Sequence, residues 1–109
     1  MKFAKPLEGF QGDVDALSDI DVKRMALMLL RSLRDGKVTG EPLERRAGTA
    51  DLSDCFKAYF EPIGGIKPRF RVVYRIVSAS GEPALQPVSV GLREDLDAYL
   101  GAARNLGRI

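Results

Sequence analysis

Three segments in the second half of the chain alternate between apolar and polar positions, as half-buried strands do. They cover residues 54–61, 69–77 and 85–91. The side chains predicted to point inward are Phe56, Ala58, Phe60, Phe70, Val72, Tyr74, Ile76, Val88 and Val90. Short glycine-containing loops separate the segments, so the pattern predicts an antiparallel meander.

A helical spacing of apolar residues precedes the strands, with Val22, Ala26 and Leu29 on one stripe. Asp19 and Asp21 lie where a helix N-terminus favours acidic residues, and Gly36 follows two arginines, as a C-terminus prefers. The pattern predicts a helix from about residue 19 to 35. A turn or short helix over residues 13–17 would complete a helical hairpin.

The remaining segments give weaker patterns. Residues 94–105 are predicted to form a final helix, with Leu96, Leu100 and Ala103 facing inward. Residues 36–50 are rich in glycine, threonine and charge, which predicts a connector. Residues 2–7 contain only a faint strand pattern.

Taken together, these elements predict an α+β fold. An N-terminal helix or helical hairpin would pack on a three- or four-stranded antiparallel sheet, and a short C-terminal helix would follow. A chain of 109 residues is long enough to enclose one core, so residues 1–109 are predicted to form a single domain.

Residue types narrow the possible chemistry. The sequence has no histidine and one cysteine, Cys55, which excludes Ser–His and Cys–His nucleophile pairs and cysteine-based zinc sites. We therefore expect no metal and no cofactor, with any catalysis carried by Lys, Arg, Tyr, Asp or Glu. No apolar run reaches the ~18 residues of a membrane span. The first residues lack the features of a signal peptide, so a cytoplasmic location is predicted.

The net charge of +2 hides a segregated distribution. Five cations lie between residues 57 and 75, against the single anion Glu61. They are Lys57, Lys67, Arg69, Arg71 and Arg75. Strand alternation would place most of them on the sheet face opposite the apolar side, with Arg93 just past the third strand. Such a face is either a solvated surface or a site for anions.

At these residues the chain resembles the RelE/ParE superfamily of bacterial type II toxins. The likeness rests on the order of an arginine-rich strand (residues 69–77), a strand that ends in Gly91-Leu92-Arg93, and Tyr99 six residues later. The segment at residues 40–43 matches the Gly-Pro-Leu stretch that commonly introduces the sheet. The resemblance covers roughly residues 29–106 and implies the same α+β fold.

In the ribonuclease branch of that family, the resemblance implies a catalytic set of Arg71, Arg93, Tyr99 and Lys57. The two arginines would stabilise charge that develops on the scissile phosphate. Tyr99 would orient the attacked nucleotide or assist proton transfer, and Lys57 would serve in acid/base or phosphate work.

Three further side chains of the basic face are candidates for RNA binding. Arg69 and Arg75 could hold the RNA backbone or pair with acids of an antitoxin. Tyr59 could stack on a base, because aromatic rings beside cations commonly bind single strands. Tyr59 and Leu92 stand where the family usually has lysines, and both replacements remove positive charge.

Three functions follow from the resemblance. The first is a toxin that cleaves mRNA, with the ribosome as a partner. The second is a ParE-like toxin that inhibits DNA gyrase without cutting RNA, and the third is an inactive relative that acts as an interaction module. Each implies a separately encoded antitoxin that lays an acidic segment over the basic face.

Overall fold

The structure, a computed structural model, describes residues 1–44 and 50–109, with the backbone alone at residue 95. The helices are α1 (Phe10–Ala16), α2 (Ile20–Arg34) and α3 (Asp97–Asn105), and a 3-10 turn (Glu94–Leu96) precedes α3. The strands are β1 (Lys2–Phe3), β2 (Glu41–Pro42), β3 (Phe56–Phe60), β4 (Phe70–Ala79) and β5 (Glu82–Leu92). The predicted α+β class is confirmed. Part of the predicted connector, residues 45–49, lies outside the described residues.

All five strands form one sheet in the order β1-β5-β4-β3-β2. β1 runs parallel to β5, and the other neighbours are antiparallel. The prediction of three or four antiparallel strands was therefore wrong in number and in direction. β1 lies within residues 2–7, where the strand pattern was faint, and β2 was not predicted. Each has two residues, which is too short for a clear alternation pattern.

Helices α1 and α2 cover one face of the sheet. The predicted helix over residues 19–35 is α2 with its caps, and the Asp19 carboxylate accepts a hydrogen bond from the Asp21 amide at 2.7 Å. The turn predicted at 13–17 is the seven-residue helix α1, which begins earlier, at Phe10. Both helices pack on the apolar side of the strands. This core contains Phe10, Val14, Leu17, Val22, Ala26, Leu30, Leu33, Phe60, Phe70, Val72, Tyr74, Leu85 and Val90.

The opposite face, predicted to be open and basic, is half covered by α3. A second core forms there between α3 and the strands. It contains Leu43, Leu52, Cys55, Val73, Val88, Ala98, Tyr99, Ala102 and Ala103. Cys55, which the sequence left without a role, is fully buried in it.

A β-bulge explains why this second core escaped the sequence pattern. Val73 pairs with Ser89, but Tyr74 pairs with Pro87, so Val88 is an extra residue on β5. Val88 thereby turns toward α3 while Val90 faces α2. The prediction that these two valines point the same way was wrong.

The inward face of α3 differs in part from the predicted one, since Ala103 and Leu96 pack in the second core as predicted. Leu100 is exposed, whereas Ala98, Tyr99 and Ala102 are buried. Small side chains allow α3 to approach the sheet closely, and the buried Ser89 hydroxyl donates to the Ala98 carbonyl at 2.7 Å. The leucine spacing was a poor guide here, because the helix packs through its smallest residues.

An ion pair ties the end of the chain to the segment before β3. Both terminal nitrogens of Arg108 donate to the Asp54 carboxylate, at 2.7 and 2.8 Å. These hydrogen bonds lower the pKa of Asp54 to about 2, against the opposing effect of its partial burial. The pair holds the segment after α3 beside the second core.

We expect Asp54→Asn to lower the free energy of unfolding by about 0.5–1 kcal/mol at neutral pH, the usual size for a partly exposed pair. Because the folded pKa of Asp54 lies below its ordinary value of 3.8, the ion pair stabilises the protein above that pH. The stabilisation is lost as the pH falls through about 2. Urea denaturation at pH 7, 4 and 2 should therefore show the difference from wild type shrinking toward zero. Asp15→Asn on α1 is the matched control, and a difference independent of pH would contradict the assignment.

Candidate functional site

The half of the sheet face that α3 leaves open carries a compact group of cationic and aromatic side chains. Lys57 and Tyr59 come from β3, Arg71 from β4, Arg93 from the residue after β5, and Tyr99 from α3. We call these five residues the cationic cluster. Four of them form the predicted catalytic set, and the fifth, Tyr59, was predicted to bind RNA.

The strand register brings the cluster together. Tyr59 pairs directly with Arg71 across β3 and β4, and Arg71 pairs with Gly91 across β4 and β5. The Arg93 amide then donates to the Arg69 carbonyl at 2.8 Å, which carries the pairing one step past β5. Directly opposed side chains on neighbouring strands lie about 5 Å apart at Cβ, so residues far apart in sequence share one site.

Tyr59 is the geometric centre of the cluster. The Arg93 guanidinium carbon lies 4.4 Å from the centroid of its ring, the Lys57 ammonium nitrogen 5.2 Å, and the Arg71 guanidinium carbon 5.4 Å. These distances are within the range of cation–π attraction. The sequence placed Tyr59 on the basic face but gave no sign that three cations surround it.

Arg71 and Tyr99 form the floor of the cluster. Arg71 is 5% exposed and Tyr99 is 1% exposed. The Arg71 guanidinium carbon lies 4.0 Å from the centroid of the Tyr99 ring. The Nη2 of Arg71 donates a hydrogen bond to the Arg93 carbonyl at 3.3 Å. Lys57, Tyr59 and Arg93 lie above this floor and are partly exposed, so they are the members that a ligand reaches first.

The charges of the cluster alter its titration. Partial burial opposes ionisation of Tyr59, but the hydrogen bond from Lys57 and the charges of Arg71 and Arg93 together lower the pKa of its hydroxyl. In return, the hydrogen bond to Tyr59, and weaker interactions with Tyr99, raise the pKa of Lys57. The cluster therefore favours an anionic oxygen beside a protonated lysine.

Arg69 and Arg75, predicted to bind RNA, lie outside the cluster and have carboxylate partners. The Arg69 side chain donates to Glu61 at 2.7 Å, and this pairing lowers the pKa of Glu61 to about 2. Arg75 donates to Gln86 at 2.7 Å and lies 3.7 Å from the Asp54 carboxylate. By contrast, Lys57 and Arg93 form no ion pair with any carboxylate whose position the structure describes.

A shallow depression of about 470 Å³ borders the cluster at the end of β5. Arg71 and Arg93 line it on the cluster side, and the Arg93 Nη1 donates to the Pro68 carbonyl at 3.0 Å, which fixes one wall. The exposed Leu92 forms part of the rim. Arg69 also lies on the rim, so a bound polyanion that crosses the cluster would pass close to it.

Within residues 1–44 and 50–109, no group of three or more Cys, Asp or Glu side chains is arranged to hold a metal ion. No helix in that part of the chain has the length and apolarity needed to cross a membrane.

Comparison with known proteins identifies the fold. No protein-family model matches the chain, and no curated protein matches its sequence. Among solved structures, the chain is similar to a double arginine-to-alanine variant of the E. coli toxin RelE in its free state. The TM-score is 0.57 at 17% identity, over 97% of this chain and 99% of that chain. The RelE-like fold inferred from the sequence motifs is confirmed.

Gly91 is a sharp test of how α3 and β5 place the cluster. A Cβ at Gly91 would lie 2.6 Å from an Asp97 carboxylate oxygen and 3.4 Å from the Ala98 amide nitrogen. The Asp97 carboxylate can turn aside from a single Cβ, so the larger Gly91→Val is the test. Its additional methyl groups would press on the α3 backbone and should reduce the free energy of unfolding by about 1–3 kcal/mol. Gly12→Ala is the control, because its Cβ would meet nothing within 4 Å and should stabilise α1 by about 0.5–1 kcal/mol. Urea denaturation measures both, and a Gly91→Val protein as stable as wild type would refute the close approach.

Proposed function

We propose that this chain is the toxin of a type II toxin–antitoxin system and an endoribonuclease that cleaves mRNA, with the ribosome as its working environment. The observation that carries the proposal is the cationic cluster, which gathers three positive charges around one tyrosine on a partly open sheet face. The RelE-like fold supports the toxin assignment.

The chemistry suits this set of residues. When the 2'-hydroxyl of a nucleotide attacks its own phosphate, negative charge builds up on a pentacoordinate phosphorus. Fixed cationic donors at that point are worth roughly 3–4 kcal/mol each, by analogy with an oxyanion-hole donor. An arginine grips phosphate through two parallel donors, and the reaction requires neither histidine nor a metal.

The depth of each side chain suggests its part in the reaction. Arg93 and Lys57 are partly exposed, so we assign them to direct contact with the phosphate. Arg71 lies beneath them, and its charge would act on the phosphate from that position. Its hydrogen bond to the Arg93 carbonyl fixes the position of Arg93. Tyr99 supports Arg71 through its ring and, by the same reasoning, is a positioning residue.

The same surface suits the proposed antitoxin. Lys57 and Arg93 have no carboxylate partner among the described side chains, so an acidic segment of another protein could neutralise them. Arg69 and Arg75 already contact Glu61 and Asp54 and would add to either interface only by exchanging those partners. Partner and substrate would compete for one site in the cytoplasm, the proposed location.

A second function is favoured by one observation. Arg71 and Tyr99 are almost fully buried, so they offer a substrate little surface to contact. A ParE-like toxin that inhibits DNA gyrase by binding alone, or an inactive relative that serves as an interaction module, would tolerate that burial. The exposed Leu92 would then contribute to a protein interface.

Expression of the chain in a bacterium is expected to arrest growth, and Lys57→Ala combined with Arg93→Ala should relieve the arrest. Each removed charge contacts the phosphate in the proposed mechanism, so together they should reduce RNA cleavage by about 10³-fold or more. Lys23→Ala with Arg24→Ala on α2 removes the same charge far from the cluster and should leave the arrest intact. Circular dichroism of both double variants checks that they fold.

Mapping of mRNA 5' ends after induction separates the candidate functions. New ends that appear with the wild-type chain, and not with the cluster variant, would support the nuclease. Intact transcripts alongside a DNA-damage response would favour the gyrase inhibitor. Full toxicity of the cluster variant would contradict a role for the cluster in either activity.

A further inference from the structure

Within the cationic cluster, Tyr59 differs from its neighbours in one chemical respect. The Lys57 ammonium nitrogen lies 5.2 Å from the centroid of its ring, and the guanidinium carbons of Arg71 and Arg93 lie 5.4 and 4.4 Å from it. Arginine stays protonated in proteins. The raised pKa of Lys57, which results chiefly from its hydrogen bond with Tyr59, keeps that side chain protonated as well. Tyr59 is therefore the partly exposed member that can lose its proton before RNA binds.

Tyr99 also has a phenolic hydroxyl, but its position differs. Tyr99 is 1% exposed and lies under the Arg71 guanidinium, whereas Tyr59 is only partly buried. A base has to come within hydrogen-bond distance of the proton that it removes. Of the two, Tyr59 is the one that solvent reaches and that has three cations within 5.4 Å of its ring centroid.

We propose that Tyr59, as the phenolate, is the general base that removes the proton from the attacking 2'-hydroxyl, an assignment that rests on the ribonuclease function proposed above. The three cations stabilise the phenolate before the reaction. Arg93 lies over the ring at 4.4 Å and also borders the depression where the phosphate would lie. The base and the phosphate contact are thus adjacent.

Lys57 and Tyr59 together gain and lose no proton over the reaction, because Tyr59 accepts one and Lys57 donates one. The Tyr59 phenolate takes the 2'-hydroxyl proton as the 2'-oxygen forms its bond to phosphorus. The bond from phosphorus to the 5'-oxygen breaks, and the Lys57 ammonium protonates that leaving oxygen. Lys57 is then an amine and Tyr59 a phenol, and transfer of the proton from the phenol to the neighbouring amine restores both. The products are a 2',3'-cyclic phosphate and a 5'-hydroxyl, with no outside reactant.

Tyr59→Phe tests the assignment because it removes the hydroxyl and keeps the ring that the cations contact. Cleavage of mRNA on programmed ribosomes, measured under single-turnover conditions from pH 6 to 9, should slow by about 10²–10⁴-fold. The wild-type rate should rise with pH across this range, and the variant should lose that rise. RNA affinity should stay nearly unchanged, since ring and cations remain. Tyr74→Phe, which removes a hydroxyl that accepts from the Gly40 amide outside the cluster, should cleave as wild type does.

A spectroscopic titration gives an answer that does not depend on cleavage. The chain has three tyrosines, and the difference in absorbance at the tyrosinate band between wild type and Tyr59→Phe isolates Tyr59. Its pKa should lie below the ordinary value of 10.0, and titration at or above that value would overturn the proposal.

The possible results distinguish failure of the ribonuclease function from failure of the role proposed for Tyr59. If wild type cleaves and Tyr59→Phe cleaves equally fast, or more slowly with the same pH profile, Tyr59 is not the base and the ribonuclease function stands. If wild type arrests growth without cleaving RNA at any pH, both the function and the base are refuted.

Discussion

The packing of α3 against half of one sheet face is the constraint on which the site depends. This packing requires small residues, with Ala98 and Ala102 on the helix and Gly91 on β5, because the backbones approach closely. It places the Tyr99 ring under the Arg71 guanidinium. The strand register brings Lys57, Arg71 and Arg93 together, and α3 leaves their half of the sheet face open.

Burial of Arg71 has a cost that its surroundings offset. A buried charge is unfavourable unless polar or aromatic groups compensate for it, and Arg71 has the Tyr99 ring at 4.0 Å and the Arg93 carbonyl at 3.3 Å. A desolvated contact of this kind between a cation and a ring contributes about 2 kcal/mol. Arg71 and Tyr99 therefore support Tyr59, Lys57 and Arg93 from below. Electrostatic stabilisation of a transition state depends on groups held in fixed positions in this way.

Sequence patterns identified the parts of the site but not their arrangement. Alternation along β4 placed Arg71 on the face opposite α2, and the resemblance implied one site for Arg93 and Tyr99, each of which contacts Arg71. The pattern could not show that Tyr99 is buried, since that follows from α3 packing through alanines and not leucines. Nor could it place Tyr59 at the centre, because the pairing of Tyr59 with Arg71 depends on strand register. The bulge at Val88 was hidden for the same reason.

We propose that the open half of the sheet face, with Lys57, Tyr59 and Arg93 at its surface, binds RNA phosphate. The most direct test is an NMR titration of the isotope-labelled protein with a short single-stranded RNA at low salt, where phosphate contacts are strongest. We expect chemical-shift changes to concentrate on the side chains of these three residues and on the rim at Arg69. Changes centred on α2, or none at all, would contradict it.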